Sequence, residues 1–337
     1  MANSETLHRL NRFITNPRVK FFAALLFDLA SVRYTIVRLD PVSACNLCCR
    51  MCHFSDPNWR GANAKGWLTE AELERIAEQL FPQALQVHFG ASMEPTTFRN
   101  YPWLIKLAKR YQVPFVGFTT NGQLLTRPSF EAMAAYGLDE ITISTHGVRK
   151  NTYERLMKRA SYDRHLQMLD DITAVRASSK KPLLRVNYTV NSENIDELQD
   201  FFDIYGSYNL STLQIRPVFD LGDTEYKEKN SEIFLGKYQK ALQNIILECK
   251  KRGVNVLANV NDPSHNQKNY SAYVYEKAFL RIITPSVVWN DNFDWRNESL
   301  DEYCRRTEWR KELASMIIRP REKWGVQLSQ TAASDVF

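Results

Sequence analysis

The sequence predicts an α/β fold, a partial (β/α)6 barrel of the TIM type with a small α+β cap after it. Between residues 34 and 218, short apolar segments alternate with longer amphipathic segments six times. This alternation is the pattern of strand–helix units in a parallel sheet. Because the crossovers of such units are right-handed, the sheet curls toward a barrel, and six units leave that barrel open on one side.

Six apolar segments are the predicted strands. They read YTIVRL (34–39), LQVHFG (85–90), FVGFTTNG (115–122), EITISTHG (140–147), LLRVNYTVN (183–191) and STLQIRPV (211–218). Between the first two, TEAELERIAEQLF predicts a helix that begins at Thr69, because a threonine followed by acidic residues caps a helix N-terminus. Sites in such barrels collect at the carboxyl ends of the strands, so the polar loops there face one mouth.

The chain divides into four predicted regions. Residues 1–33 form a helical extension, 34–220 the barrel, 221–325 the cap and 326–337 a tail. Within the cap, VNVLAN predicts a short strand, and FLRIITPSVVWNDNFDW predicts two short strands around a turn.

Composition and charge set limits on the partners. The 337 residues carry a net charge of +6 and are 44% hydrophobic, which is ordinary for a chain with a large core. A solvated surface explains the basic excess as well as an acidic partner does, and we expect no nucleic-acid partner. No apolar run approaches the roughly 20 residues that span a bilayer.

Residues 9–32 contain an amphipathic stretch around FFAALLF. The favoured interpretation is a helix packed on the barrel. Because basic residues flank its apolar face, a weak contact with a membrane surface is the alternative.

Four of the six cysteines lie within CNLCCRMC (45–52), directly after the first predicted strand. So many thiols together indicate a reducing compartment and a metal or redox role, and we expect a cytoplasmic protein. Read as two C-x2-C pairs, the loop suggests a four-thiolate zinc site, although such pairs usually lie about 15–20 residues apart. Read as Cys45, Cys49 and Cys52, three thiolates reach three irons of a cubane cluster and leave the fourth iron open.

The spacing of Cys45, Cys49 and Cys52 after a first strand resembles the motif of the radical S-adenosylmethionine (SAM) superfamily. The resemblance implies one 4Fe–4S cluster on these three cysteines, with SAM bound to the open iron. Electrons would come from a flavodoxin- or ferredoxin-type donor, and a 5′-deoxyadenosyl radical would abstract hydrogen from the substrate. Cys48 would then be a small apolar filler.

Other strand ends resemble the superfamily's SAM site. The resemblance implies that Met51 lies near the adenine and that the segment GASMEP (90–95) meets the SAM amino group, through Ser92, Met93 or Glu94. It also implies that Asn121 and Ser144 reach the methionine carboxylate or the ribose, with Asn187 on the same wall.

The last third of the chain is weakly similar to the SPASM or twitch domains, which bind auxiliary clusters through several cysteines. Only Cys304 remains in the similar segment, so we predict no auxiliary cluster. Without one, hydrogen return from a thiol, which gives epimerisation, becomes one of the expected outcomes. Cys304 and Cys249 are the candidate hydrogen donors.

The function that these features favour is radical SAM modification of a ribosomal peptide, an assignment by fold-level analogy. The same chemistry on a sugar, an aminoglycoside-like compound or a lipid is the first alternative. A non-catalytic zinc-binding interaction module is the alternative of another class.

Overall fold

A computed structural model describes residues 14, 16–178, 181–218, 224–227, 232–258, 266–268, 270–290, 292–324 and 328–330. Within these ranges the chain forms ten strands. They are β1 Thr35–Leu39, β2 Ala84–Phe89, β3 Phe115–Thr120, β4 Glu140–Thr145, β5 Leu183–Val190, β6 Thr212–Pro217, β7 Asn255–Ala258, β8 Asn266–Lys268, β9 Leu280–Ile283 and β10 Leu328–Gln330.

Eight of these strands form one parallel sheet, in the spatial order β7-β6-β5-β4-β3-β2-β1-β9. The six predicted strands therefore lie side by side in chain order, and the predicted α/β fold with a partial barrel is confirmed. Among the described residues no pairing joins β7 to β9, so the barrel is open at that seam. A separate antiparallel pair consists of β8 and β10.

Twelve helices flank the sheet in the described ranges. They are α1 Pro17–Leu29, α2 Pro57–Asn63, α3 Glu70–Leu80, α4 Tyr101–Arg110, α5 Arg127–Ala135, α6 Lys150–Leu156, α7 Tyr162–Arg176, α8 Phe201–Tyr205, α9 Glu232–Arg252, α10 Tyr270–Val274, α11 Leu300–Arg306 and α12 Trp309–Ile318. The start of α3 is as predicted, because Thr69 accepts from the Glu72 amide while the Glu72 carboxylate accepts from the Thr69 amide. None of the described helices is long and apolar enough to cross a membrane.

Alternate side chains of each strand are buried beneath the helices. On β5, Leu184 and Val186 belong to the main core, while Arg185 and Asn187 face the other way. Because side chains alternate along a strand, this second face is the inside of the barrel. We call it the inner wall.

Two strands of the sheet come from the region predicted as the cap. The predicted strand in VNVLAN is confirmed as β7, which pairs with β6. In FLRIITPSVVWNDNFDW the first strand is β9, beside β1, but the second is reduced to a single bridge between Ile283 and Val288. Pro285 lies two residues after the end of β9 and has no amide hydrogen for a longer ladder, which explains the short pairing. The division into domains stays a prediction.

The helix α1 packs against the C-terminal helices. Phe21 and Ala24 lie in a small core with Trp309 and Leu313, and the Phe21 ring meets Trp324 edge-on at 5.2 Å. Residues 9–13 and 15 of the predicted amphipathic stretch, and 326, 327 and 331–337 of the predicted tail, lie outside the described residues.

Candidate functional site

The cysteine loop follows β1, and backbone hydrogen bonds attach it to the end of α6 and to the connection between α6 and α7. The Cys48 amide donates to the Lys158 carbonyl at 3.1 Å, and the Arg50 amide donates to the Leu156 carbonyl at 2.9 Å. Leu47 is buried in a small apolar cluster that also contains Cys45 and Cys49. The loop is therefore fixed in shape by its own backbone bonds and one apolar anchor.

The three predicted cluster ligands are half-buried thiols within one loop. Burial raises the pKa of Cys45 to about 12 and raises the pKa of Cys49 and Cys52, and the charge of a neighbouring cysteine adds to each increase. Three thiolates could coexist here only beside a strong positive charge, which an iron cluster supplies. The donor set thus fits the cluster.

The geometry of the thiols is also compatible with a cluster. Among the described residues no three Cys, His, Asp or Glu side chains converge on the position of one metal ion. A cubane cluster does not require convergence, because each thiolate binds a different iron. Cys48 has a partner of its own, since Arg60 Nη1 lies 3.0 Å from its sulfur.

Glu94 is fully enclosed at the end of β2 and joins three segments of the site. Its carboxylate accepts from the Thr120 hydroxyl at 2.6 Å and the Asn121 amide at 2.7 Å, both at the end of β3, and from the Thr96 hydroxyl at 2.6 Å. The Glu94 amide donates to the Ala44 carbonyl, just before the first cysteine. Burial raises the pKa of Glu94, while these hydrogen bonds oppose the increase. These partners all belong to the chain itself, and a SAM contact through Glu94 stays a prediction.

The segment Gly90–Ser92 has a second carboxylate anchor, Asp40, which sequence reasoning missed. Asp40 accepts from the Ala91 amide at 2.8 Å and from the Ser92 amide at 3.0 Å. Gly90 has a φ of +84°, and a Cβ there would lie 2.1 Å from the Thr119 carbonyl oxygen, so only glycine fits. Ser92 itself is exposed at the mouth of the barrel. An acidic residue at the end of the apolar run RYTIVRLD was the available signal.

Asn121 lies beside the first cluster cysteine. Its Nδ2 donates to Asn46 Oδ1 at 2.9 Å and lies 3.8 Å from the Cys45 sulfur. The structure therefore brings this predicted site residue to the cysteine loop, where it supports the loop. Met51 is buried next to Leu156, and its sulfur accepts from Asn191 Nδ2 at 2.7 Å.

Ser144 and Asn187 are neighbours on the inner wall, paired across β4 and β5. Among the described residues, Asn187 Oδ1 and His146 Nδ1 are buried without a hydrogen-bond partner. Burial lowers the pKa of His146 to about 4, so its imidazole is neutral at pH 7. Buried polar atoms without partners indicate where a polar ligand would bind.

The two candidate hydrogen donors lie apart from this arrangement. Cys249 is fully buried in the main core, and burial raises its pKa to about 12. Cys304 lies near Arg281, which occupies the same face of the sheet as Val37, on the helix side. The structure therefore does not bring either thiol to the inner wall, and a donor role for them stays a prediction.

Solved structures with a similar fold include those of SuiB and anSMEcpe. SuiB of Streptococcus suis, solved both with SAM and with a precursor peptide, superposes with a TM-score of 0.61 at 15% identity. That match covers 81% of this chain and 64% of the other. The protein named anSMEcpe, with bound SAM, has a TM-score of 0.55 at 16% identity, over 66% of this chain and 61% of its own. The chain thus spans less than two thirds of either structure, and the likeness is one of fold.

Curated relatives are named probable GTP 3′,8-cyclases. The protein of Thermoplasma volcanium is 23% identical over 247 residues, which is 73% of this chain and 70% of the relative. The protein of Saccharolobus solfataricus is 26% identical over 199 residues, or 57% and 60%.

The family comparison covers the strands that carry the site. The model of the radical SAM superfamily matches residues 39–212, from the end of β1 to the start of β6. This match spans more than half of the chain and includes all four cysteines of the loop. The chain therefore belongs to the radical SAM superfamily.

Proposed function

We propose that Cys45, Cys49 and Cys52 hold one 4Fe–4S cluster and that the enzyme uses it to abstract a hydrogen atom from a peptide substrate. When bound, the cluster supplies the electron that cleaves SAM to a 5′-deoxyadenosyl radical. The observation that carries the proposal is the fixed loop that presents three half-buried thiols at the mouth of the barrel. A flavodoxin- or ferredoxin-type donor and a cytoplasmic location belong to the same proposal.

The residues of the chain position and shield the reacting groups. Asp40 and Glu94 fix the segment whose free backbone groups would meet the SAM amino group. Ser144 and Asn187 offer a hydroxyl and an amide on the inner wall, where the SAM carboxylate or ribose would lie. Met51 closes the loop with an apolar contact on the adenine side. Fixed donors around an enclosed radical orient hydrogen abstraction and exclude water.

A peptide is the proposed substrate because the SuiB structure, similar in fold, contains a precursor peptide. We further propose that residues 221–325 hold no auxiliary cluster. The names of the curated relatives support a second candidate, a nucleoside triphosphate.

The first experiment measures 5′-deoxyadenosine formed from SAM after anaerobic cluster reconstitution and reduction with dithionite. We expect the wild-type protein and a Cys48→Ala variant to form it, because Cys48 is not a cluster ligand. A Cys49→Ala variant should bind less iron and lose the product by more than about a hundredfold, since the cluster loses one of three ligands. A Cys49→Ala protein with a full, active cluster would contradict the ligand assignment.

The substrate proposal needs a separate readout. Peptide and nucleoside triphosphate candidates are incubated with the active enzyme, and coupled product is followed by mass spectrometry. A peptide that increases 5′-deoxyadenosine formation and changes its own mass supports the first candidate. The same result with only a nucleoside triphosphate supports the second candidate and overturns the peptide.

A further inference from the structure

The inner wall of the barrel is polar, and its charges are mostly positive. Barrels without a ligand space fill this position with branched apolar side chains. Here the described strands place four arginine or acidic residues on it: Arg38 on β1, Glu140 on β4, Arg185 on β5 and Arg216 on β6. Three of the four are arginines, while the carboxylates of Asp40 and Glu94 lie in the loops at the mouth and accept from backbone amides.

Arg185 forms an ion pair with the glutamate. Arg185 Nη2 lies 2.8 Å from Glu140 Oε1, with both side chains largely shielded from solvent. Arg185 Nε is buried and has no hydrogen-bond partner among the described residues. The pair thus neutralises the charge of Arg185 at the lower end of the wall.

Arg216 lies nearer the mouth, toward the carboxyl end of β6. With the Gln214 amide oriented so that its oxygen faces the guanidinium, this oxygen accepts from Arg216 Nη2 at 3.1 Å and Nε at 3.2 Å. Gln214 is neutral, so it satisfies hydrogen bonds without supplying a counter-charge. Burial, together with the positive charges of Arg38 and Arg185, lowers the pKa of Arg216 to about 10.

We infer that the inner wall binds an oxyanion of the substrate, a carboxylate or a phosphate, through Arg216 with Arg38 beside it. A buried charge is costly unless it is paired, and a guanidinium matches two oxygens of a carboxylate or phosphate at once. This inference rests on the proposed function, because it names the group by which the substrate is held.

The test uses the reconstituted protein with SAM bound, so that the open iron is already occupied. Binding of two probes, inorganic pyrophosphate and N-acetylglutamate, is measured by anaerobic titration calorimetry at fixed ionic strength. We expect at least one probe to bind. An Arg216→Gln variant should bind it more than about tenfold more weakly, because truncating one partner of a buried charge pair costs several kcal/mol.

Two matched variants complete the experiment. Arg127 is exposed on α5 and pairs with Glu131 one turn away, so Arg127→Gln should bind the probe like the wild type. Arg216→Lys keeps the charge without the planar fork and should bind with intermediate affinity. This series separates a specific loss at Arg216 from misfolding of the glutamine variant.

The outcomes are distinct. Binding of pyrophosphate alone supports a phosphorylated substrate. Binding of N-acetylglutamate alone supports a substrate that carries a carboxylate. No probe binding, equal binding by Arg216→Gln, or a loss of SAM affinity in that variant as large as the loss of the probe would overturn the inference. Failure of the proposed function would instead appear as absent 5′-deoxyadenosine from the wild-type protein.

Discussion

Asp40 and Glu94 are buried carboxylates that accept hydrogen bonds from backbone amides of the site. Asp40 binds two amides of the loop after β2, and Glu94 binds the amide of Asn121 after β3. Each therefore joins segments that are far apart in sequence, and each loses solvation by being enclosed. The lost solvation of these carboxylates is offset by the hydrogen bonds that fix the three loops at the mouth of the barrel.

Asp40 makes the stability of the protein depend on pH. Burial raises its pKa from 3.8 to about 6, so between these values the folded chain keeps a proton that the unfolded chain has released. Because the unfolded state then binds fewer protons, the free energy of unfolding falls as pH rises through this window. An Asp40→Asn variant should lack this contribution.

The measurement is the urea midpoint of both proteins, without cluster, at pH 4.5 and pH 7. We expect the difference between wild type and Asp40→Asn to change by roughly 2 kcal/mol between the two pH values. An Asp163→Asn variant, which alters an exposed carboxylate on α7, is the control. If wild type and Asp40→Asn respond identically to pH, Asp40 does not titrate in this window.

Residues of the site differ in how far the sequence could predict them. The spacing of Cys45, Cys49 and Cys52 within one loop is enough to predict them as ligands. The loop lies directly after β1, as the sequence predicts. Asp40 gave no such signal, because its partners lie 51 and 52 residues away along the chain. Only the folded sheet brings these segments together.

Among the elements, local sequence signals predicted the six barrel strands and the start of α3. They did not predict which further strands pair at the edges of the sheet. The capping box at Thr69 is encoded within four residues, and α3 begins where it predicts. The pairing of β9 with β1 joins segments about 240 residues apart, and an apolar run of four residues does not specify its partner. The sheet therefore has eight strands where the sequence pattern predicted six.

The helix α1 has an unusual distribution of side chains. Lys20 and Asp28 are buried, with 9% and 8% of their surface exposed, while Val19, Phe22 and Leu26 are 45%, 49% and 46% exposed. The buried Asp28 pairs with Arg310 of α12 at 2.7 Å, which holds the helix in this orientation. An outward apolar face of this kind fits the membrane-surface contact proposed for residues 9–32.

The membrane contact is tested by sedimentation with vesicles rich in phosphatidylserine. We expect the wild-type protein to bind, and a double variant, Phe22→Ser with Leu26→Ser, to bind more than about tenfold more weakly, since each apolar side chain contributes about 1.5–3 kcal/mol when buried. Leu247→Ser removes an exposed leucine from α9 and serves as the control. Equal sedimentation of the double variant and the wild type would rule out this contact through α1.

At the scale of the whole molecule, one sheet carries two opposite environments. Its outer face buries apolar side chains such as Val186 and Ile141 under the helices, and its inner wall carries Arg38, Arg185 and Arg216. The alternation of strand residues predicts both faces, but the six-fold pattern alone does not show which charges meet across the barrel. That information comes from the register, which sets Asn187 opposite Gln214 and Ser144.

Binding of the cluster should stabilise the whole fold, because the ligand loop is attached to several elements. The loop contacts the α6–α7 connection through Cys48 and the end of β2 through Ala44, so unfolding either would release the ligands. A group that binds only the folded chain raises the free energy of unfolding by about 2.7 kcal/mol at a hundredfold excess over its Kd.

The expected result is a Tm that is about 5 °C or more higher in reconstituted protein than in the same protein after anaerobic chelation. Cys48→Ala should show nearly the same increase, because that variant keeps all three proposed ligands. Cys49→Ala should show little increase, although its Tm without the cluster stays close to that of the wild type. If chelation leaves the wild-type Tm unchanged while iron is lost, the cluster is not coupled to folding, and the loop is rigid without it.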